Sequence, residues 1–247
     1  MCTLKKRGSV YLLTLTGTDE HRLNPTFMDA ILAALRQVRS ESTGVPAAAL
    51  VITAEGKFFS NGLDLPWAKA AGAVGFSDRM RLIGSKFKEL TTEIISLPLP
   101  TIAAISGHAS AGGFILALCH DYILMRKDRG VLYMSELDIS FPLPRHYMAL
   151  IKSKVVLPAA WRDTVLRAVK FRAEAALARG IIDSAHGTVK ETVDAALRLG
   201  EELAGRKWDG QVYAQMRKTL HSEVWDAFAS EDSNATENHI KAIASRL

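Results

Sequence analysis

The sequence predicts an α/β fold with mainly parallel strands, and three observations predict it. Short apolar runs alternate with helical patterns up to about residue 140. These runs are continuously apolar, which is typical of strands buried on both faces, and loops with glycine or proline separate them from the helices. Repeats of strand, loop and helix build parallel sheets. From Pro144 onward the pattern becomes helical, so helices are expected to complete the fold.

The N-terminal elements are predicted from β-rich runs and helix signals. Residues 9–17, "SVYLLTLTG", predict a first strand that ends on glycine. A helix follows, with Asn24 as its N-cap and Pro25 at its first position. The run "AAALVITAEG" (47–56) predicts a strand buried on both faces. Residues 57–67, "KFFSNGLDLPW", predict a loop with Asn-Gly at its centre.

The remaining elements follow from the same signals. A long helix through "DRMRLIGSKFKELTTEIISL" is expected to end at the prolines of residues 98–100. The next segments are predicted as strand, loop, helix, strand and strand: "TIAAISG", "HASAGG", "FILALCHD", "YILMRK" and "VLYMSE". The helices after Pro144 are predicted at "PAAWRDTVLRAV", "RAEAALARG", "TVKETVDAALRLGEELAGR" and "WDGQVYAQMRKTLHSEVWDAFA", before a polar end segment.

The composition excludes several classes of protein. With 48% hydrophobic residues and no apolar stretch near the about 20 residues of a membrane span, a soluble protein without membrane insertion is expected. Only Cys2 and Cys119 occur, and no Cys/His spacing suits zinc, which indicates a reducing compartment and no metal site. The net charge of +5 is scattered and not interleaved with stacking aromatics, so no nucleic-acid partner is expected.

Motifs for dinucleotides, for P-loop phosphates and for a nucleophile elbow do not occur in the sequence. Ser60, Ser110 and Ser135 lie near loops, and His108 and Asp121 are formally available as partners of a serine nucleophile. A hydrolase therefore stays an open alternative at this point.

Two glycine loops and one glutamate are the candidates for chemistry. The loops "FSNGLDL" (59–65) and "SGHASAGGF" (106–114) each follow a predicted strand. The second leads into a helix, where backbone N–H groups near Gly112 and Gly113 can stabilise a negative oxygen. The alternative is that the glycines only allow tight turns and close packing. Glu136 ends the run "GVLYMSELDISF", either as a surface charge or as an acid–base group.

Three of these motifs together resemble a known family. "GKFFSNGLDL" (56–65), "TIAAISGHASAGGFILALCHDYILM" (101–125) and "YMSELDISF" (133–141) resemble the crotonase, or enoyl-CoA hydratase/isomerase, superfamily. "MCTLKKRG", "EHR" and "MRKDRGVLYMSELDI" are most similar to its plant peroxisomal Δ3,Δ2-enoyl-CoA isomerases. The resemblance implies a crotonase-like ββα spiral core at 1–190, a C-terminal helical region at 191–247 that serves as a lid or in oligomerisation, and a homotrimer.

The resemblance also implies roles for individual residues. The backbone N–H groups of Leu63 and Gly112 are expected to form an oxyanion hole, and Glu136 is expected to act as the acid–base group. The resemblance implies contacts with substrate or CoA for Ser60, Asn61, Gly62, Leu65, Gly113 and Ile115, and candidate phosphate contacts for Lys57, Lys69, Arg79 and Lys86. Ile115 stands where hydratases carry a second glutamate, which argues against an efficient hydratase. Leu137, Ile139 and Phe141 are expected to form an apolar pocket around Glu136.

The implied activity is a Δ3,Δ2-enoyl-CoA isomerase that moves a 3-cis or 3-trans double bond to 2-trans during β-oxidation, with no cofactor because CoA is part of the substrate. Two alternatives stay open: an acyl-CoA thioesterase or dienoyl-CoA isomerase of the same fold, and a non-catalytic acyl-CoA-binding protein. Ser245-Arg246-Leu247 is similar to the peroxisomal address Ser-Lys-Leu, so import by its receptor and a peroxisomal location are expected.

Overall fold

The computed structural model describes residues 1–44, 48–230 and 240. Its strands are β1 (Cys2–Arg7), β2 (Val10–Leu15), β3 (Ala49–Ala54), β4 (Phe58–Ser60), β5 (Thr101–Ile105), β6 (His108–Ser110), β7 (Tyr122–Arg126), β8 (Leu132–Tyr133) and β9 (Ser184–His186). Its helices are α1 (Pro25–Ser42), α2 (Leu65–Lys69), α3 (Gly72–Ile95), α4 (Gly112–Leu118), α5 (Arg145–Lys154), α6 (Pro158–Val165), α7 (Ala173–Ala178), α8 (Val189–Gly205), α9 (Gly210–Leu220) and α10 (Ser222–Ala229). The predicted α/β class is confirmed.

The larger sheet has the strand order β1-β2-β3-β5-β7-β9. Its pairs from β2 to β9 are parallel, and only β1 pairs antiparallel with β2. Side chains alternate between its two faces, since Leu13 joins the core under α1 and α3 while Leu12 joins the apolar cluster under α8. Burial on both faces explains why these strands have continuous apolar runs, as predicted for β3.

The smaller sheet positions the candidate site. It consists of β4, β6 and β8 in that order, and both of its strand pairs are parallel. The carboxyl ends of parallel strands lie at one edge of a sheet. The segments that follow Ser60, Ser110 and Tyr133 therefore leave the sheet on the same side.

Several sequence predictions about the N-terminal part were wrong in detail. The strand predicted as the first is β2. The charged segment before it forms the edge strand β1, which pairs with β2 as a hairpin that the apolar pattern did not reveal. Lys5 and Lys6 suit this edge because charge discourages further strand pairing. The predicted loop at 57–67 contains β4 and the start of α2, and "HASAGG" contains β6.

The predictions for the later part also need correction. The strand predicted at "VLYMSE" ends at Tyr133, and Glu136 begins a turn that extends through residue 140. The region after Pro144 contains the unpredicted strand β9 and the unpredicted helix α5. The single helix predicted through "WDGQVYAQMRKTLHSEVWDAFA" is two helices that meet at His221. The predicted domain division at 190/191 falls in the first turn of α8 and stays a prediction.

Candidate active site

Leu63, Gly112 and Glu136 line one cavity of about 700 Å³. Each follows a strand of the smaller sheet within three residues: Leu63 after β4, Gly112 after β6 and Glu136 after β8. Asn61, Leu65 and Ile115 line the same cavity. The parallel sheet thus brings together three segments that are far apart in sequence.

The two glycine loops are in direct contact at Gly62. Its φ is +76°, a conformation that favours glycine, and a side chain there would lie 2.9 Å from the Ser110 carbonyl oxygen and 3.0 Å from the Gly112 nitrogen. On the other side, a Cβ at Gly112 would meet the Leu63 side chain at 3.5 Å. The backbones at Leu63 and Gly112 are therefore close neighbours at the cavity wall.

The N–H groups of Leu63 and Gly112 donate no hydrogen bond to any of the residues that the structure describes. Hydrogen bonds on either side of Leu63 run from the Leu23 N–H to the Gly62 carbonyl, 2.8 Å, and from the Asp64 N–H to the Leu23 carbonyl, 3.1 Å. In such a β-bridge the residue between the two bonded positions directs its own N–H to the opposite side. Neither this N–H nor that of Gly112 has an acceptor within the described ranges. Both donors are available to a ligand oxygen in the cavity.

Ser60, Gly62 and Gly113 lie behind the cavity wall. The Ser60 hydroxyl donates to the His21 carbonyl at 2.8 Å and accepts from the Gly62 N–H at 3.2 Å, and the residue is fully buried. A side chain at Gly113 would overlap the Ser60 carbonyl oxygen, at 2.1 Å, so this glycine allows close packing. These residues support the loops, and their direct contact with a substrate stays a prediction.

Glu136 places a buried carboxyl oxygen in the cavity. Its Oε2 has no hydrogen-bond partner among the residues that the structure describes. Burial raises the pKa of the carboxyl from 4.5 to about 7, because the charged form loses its hydration, and a backbone hydrogen bond opposes this only in part. Ile139 and Phe141 line the cavity as predicted, but Leu137 is 55% exposed and does not belong to the pocket.

Aromatic and apolar side chains form another part of the cavity wall. A Cβ at Gly112 would lie 3.4 Å from the Phe87 ring, whose centroid is 5.2 Å from that of Tyr147. His146 and Ile240 also line this part. Tyr147 and His146 were not predicted as site residues because α5 was not predicted from the sequence. Continuous helical spacing from Pro144 was the available signal.

The basic residues at the cavity differ from the candidates of the sequence analysis. Arg22, Arg81 and Lys88 line it. The four predicted phosphate contacts do not line it in the described structure: Lys57, Lys69, Arg79 and Lys86. Arg79, for example, donates to the Trp67 carbonyl at 2.6 Å. Whether any of the four contacts the CoA phosphates stays a prediction.

Three other features would indicate a different class of site or protein: a serine triad, a metal cluster and a membrane-spanning helix. Asp121, the acid of a hypothetical serine triad, accepts hydrogen bonds from Arg217 and Thr101, and no histidine of the described ranges is hydrogen-bonded to it. Among the described residues there is no cluster of three His, Cys, Asp or Glu suited to a metal ion. In the same part of the chain, no helix combines the length and apolarity required to span a bilayer.

Comparison with known proteins identifies the family. The family model for enoyl-CoA hydratase/isomerase matches residues 5–245. The chain belongs to the enoyl-CoA hydratase/isomerase family. This membership confirms the resemblance inferred from the three motifs.

Within the enoyl-CoA hydratase/isomerase family, the chain is 50% identical over 226 residues to "Enoyl-CoA delta isomerase 2, peroxisomal" of Arabidopsis thaliana, covering 91% of this chain and 93% of that protein. It is 48% identical over 224 residues to "Enoyl-CoA delta isomerase 1, peroxisomal" of the same plant, covering 91% of each. The apo structure of an enoyl-CoA isomerase from Mycobacterium tuberculosis has a TM-score of 0.79 at 24% identity, covering 98% of this chain and 97% of that one. The crotonase-like fold is thus confirmed.

Proposed function

We propose that the protein is a Δ3,Δ2-enoyl-CoA isomerase with Glu136 as its single acid–base group. The observation that carries the proposal is the cavity itself, which combines the buried Glu136 carboxyl oxygen with two backbone donors that have no acceptor among the described residues. Relatives about half identical in sequence are named enoyl-CoA delta isomerases, which supports the same activity here.

The proposed reaction is a proton transfer between two carbons. The Glu136 carboxylate takes a proton from C2 of a 3-enoyl thioester, and the electrons of the C–H bond delocalise over the diene to the thioester oxygen. The N–H groups of Leu63 and Gly112 stabilise this dienolate, and one such donor is typically worth about 3 kcal/mol. The protonated Glu136 then returns the proton to C4, which leaves the double bond between C2 and C3.

The side chain of Ile115 separates this activity from hydration. Adding water across a double bond requires groups that position the water, and Ile115 is an apolar, 1% exposed residue at the cavity wall. Its position at the site of the family's second glutamate is known from the sequence resemblance alone. A single carboxylate can carry a proton between two carbons, and the lack of a second one at residue 115 argues against efficient hydration.

Three measurements test the proposed function: the shift of the double bond, the hydration of a 2-enoyl-CoA and the release of CoA thiol. Purified protein should convert 3-hexenoyl-CoA to conjugated 2-hexenoyl-CoA, which is followed by its ultraviolet absorbance. It should neither hydrate 2-hexenoyl-CoA nor release free CoA thiol. Thiol release without a double-bond shift would identify a thioesterase, and acyl-CoA affinity without any turnover would identify a binding protein.

We expect the rate to depend on pH through Glu136. The base must be ionised, and burial raises the pKa of this carboxyl from 4.5 to about 7. The value of kcat/KM should therefore rise about tenfold per pH unit below this pKa and level off above it. Initial rates between about pH 5 and pH 9 measure the midpoint. A midpoint near that of an ordinary glutamate, about 4.3, would contradict the desolvated base.

We further propose that the reaction requires no cofactor beyond the CoA of the substrate, that the chain acts in peroxisomes and that it forms a homotrimer. Both Arabidopsis relatives are named as peroxisomal proteins, which supports the location. Ser245-Arg246-Leu247, the predicted import signal, lies outside the described residues. A fluorescent protein fused to the N-terminus should co-localise with a peroxisomal marker, and a diffuse signal would refute this location. Light scattering of the purified chain measures its oligomeric state.

A further inference from the structure

Two side chains join the start of α1 to the first glycine loop. Asn24 Oδ1 accepts from the Phe27 N–H at 3.0 Å and thereby caps α1. Asp64 Oδ1 accepts from the Trp67 N–H at 3.0 Å and caps α2 in the same way. The two caps are also bonded to each other, because Asn24 Nδ2 donates to Asp64 Oδ2 at 3.1 Å.

This pair lies next to the donor residue of the cavity. Asp64 directly follows Leu63, and Asn24 directly follows Leu23, whose backbone forms the hydrogen bonds on both sides of Leu63. Upstream, the loop is already held by the Ser60 hydroxyl, which bonds the His21 carbonyl and the Gly62 N–H. Downstream of Leu63, the side-chain link is the bond between Asn24 and Asp64.

We propose that the Asn24–Asp64 pair is a positioning element that holds the Leu63 N–H at the angle required for the oxyanion. This inference rests on the proposed function, in which that N–H binds the thioester oxygen. The pair does not touch the cavity, since neither side chain is part of its described lining. Its effect is therefore transmitted through the backbone between residues 62 and 64.

The physical reason is the strictness of hydrogen-bond geometry in catalysis. A hydrogen bond weakens steeply as its angle departs from linearity, and a reacting group displaced by about 1 Å can lose about 100-fold in rate. Leu63 lies between residues 60–62, which the Ser60 hydroxyl holds by hydrogen bonds, and the short helix α2, whose first turn depends on the Asp64 cap. Fixing Asp64 to Asn24 ties this turn to the 18-residue helix α1, which is firmly packed in the core.

The pair offers an exchange experiment because Asn and Asp are equally good N-caps. N24D keeps the cap of α1 but places a second carboxylate against Asp64. D64N leaves one oxygen for two donors, so either the α2 cap or the cross-link is lost. The double variant N24D/D64N restores a carboxylate–amide pair with the partners exchanged. D209N is the matched control, since Asp209 caps α9 through the Val212 N–H at 2.9 Å and does not line the cavity.

Turnover of 3-hexenoyl-CoA is the first readout. We expect each single variant to lower kcat about 10- to 100-fold with little change in KM, and the double variant to recover most of the loss. D209N should keep the wild-type kcat. Single variants with wild-type kcat, or a double variant no faster than the singles, would overturn the proposal.

The second readout does not depend on turnover. The infrared carbonyl stretch of bound hexanoyl-CoA, labelled with ¹³C at the thioester carbon, reports the strength of the oxyanion contacts. Relative to unbound hexanoyl-CoA, binding to the wild type and to the double variant should lower this frequency equally. Binding to the single variants should lower it less. An equal shift in all four proteins would overturn the positioning role even if isomerase activity is absent. A wild type that isomerises nothing but shows the variant-dependent shift would refute the proposed function alone.

Discussion

Replacing Glu136 by glutamine should lower kcat for isomerisation by about 1,000-fold or more, with KM within a few-fold of the wild type. General acid–base groups typically contribute about 10²- to 10⁴-fold, and in the proposed mechanism this carboxyl performs both proton transfers. Glutamine has the same shape but cannot exchange a proton with carbon. The loss should therefore appear in the chemical step, measured by single-turnover absorbance with 3-hexenoyl-CoA.

Asp138 provides a matched control on the same turn. It is exposed, its carboxylate accepts a hydrogen bond from the Tyr133 hydroxyl, and it does not line the cavity. D138N should keep the wild-type rate, because an amide oxygen can still accept this hydrogen bond. If E136Q turned over as fast as D138N, Glu136 would not be the base.

Replacing Arg217 by methionine should destabilise the folded protein by about 3–5 kcal/mol. The Arg217 guanidinium is almost fully buried and donates to Asp121 Oδ1 at 2.7 Å and Oδ2 at 2.5 Å. It also donates to the carbonyl oxygens of Leu97 at 2.6 Å and Leu99 at 2.7 Å. Methionine fills much of the space but leaves a buried carboxylate without its cation and two carbonyls without this donor.

Urea unfolding followed by tryptophan fluorescence measures this change. Burial disfavours the charged form of Asp121, yet the Arg217 charge and hydrogen bonds outweigh it and hold the pKa of Asp121 below its ordinary value. The carboxylate therefore depends on Arg217. K218M, at the next and exposed position of α9, should change stability by less than about 0.5 kcal/mol. Equal midpoints for R217M and K218M would show that the buried pair contributes nothing.

The main residues of the candidate site were predicted from the resemblance of three motifs to a known family. Leu63, Gly112, Ile115 and Glu136 were named from those motifs, and the structure places all four at one cavity. Continuous apolar runs predicted the parallel strands of the larger sheet, whereas of the short parallel strands that bring these residues together only β8 was predicted as a strand.

Other parts of the site depend on tertiary contacts and could not be predicted. The strands of the smaller sheet have two or three residues each, too few for a period to be visible. The Asn24–Asp64 bond joins residues 40 positions apart, and no local pattern indicates it. Ser60 and Gly113 were singled out with the loops, but their packing against each other is visible only in the fold.

The smaller sheet also bears on how the chemistry of such a protein can change in evolution, because the three segments at its cavity follow three separate strands. In the proposed mechanism its three strand ends carry separate tasks: one donor follows β4, a second follows β6 and the proton carrier follows β8. Because each task belongs to a different short segment, we expect a replacement of residues 134–141 to change the proposed acid–base group first, while the segments after β4 and β6 keep their two backbone amides.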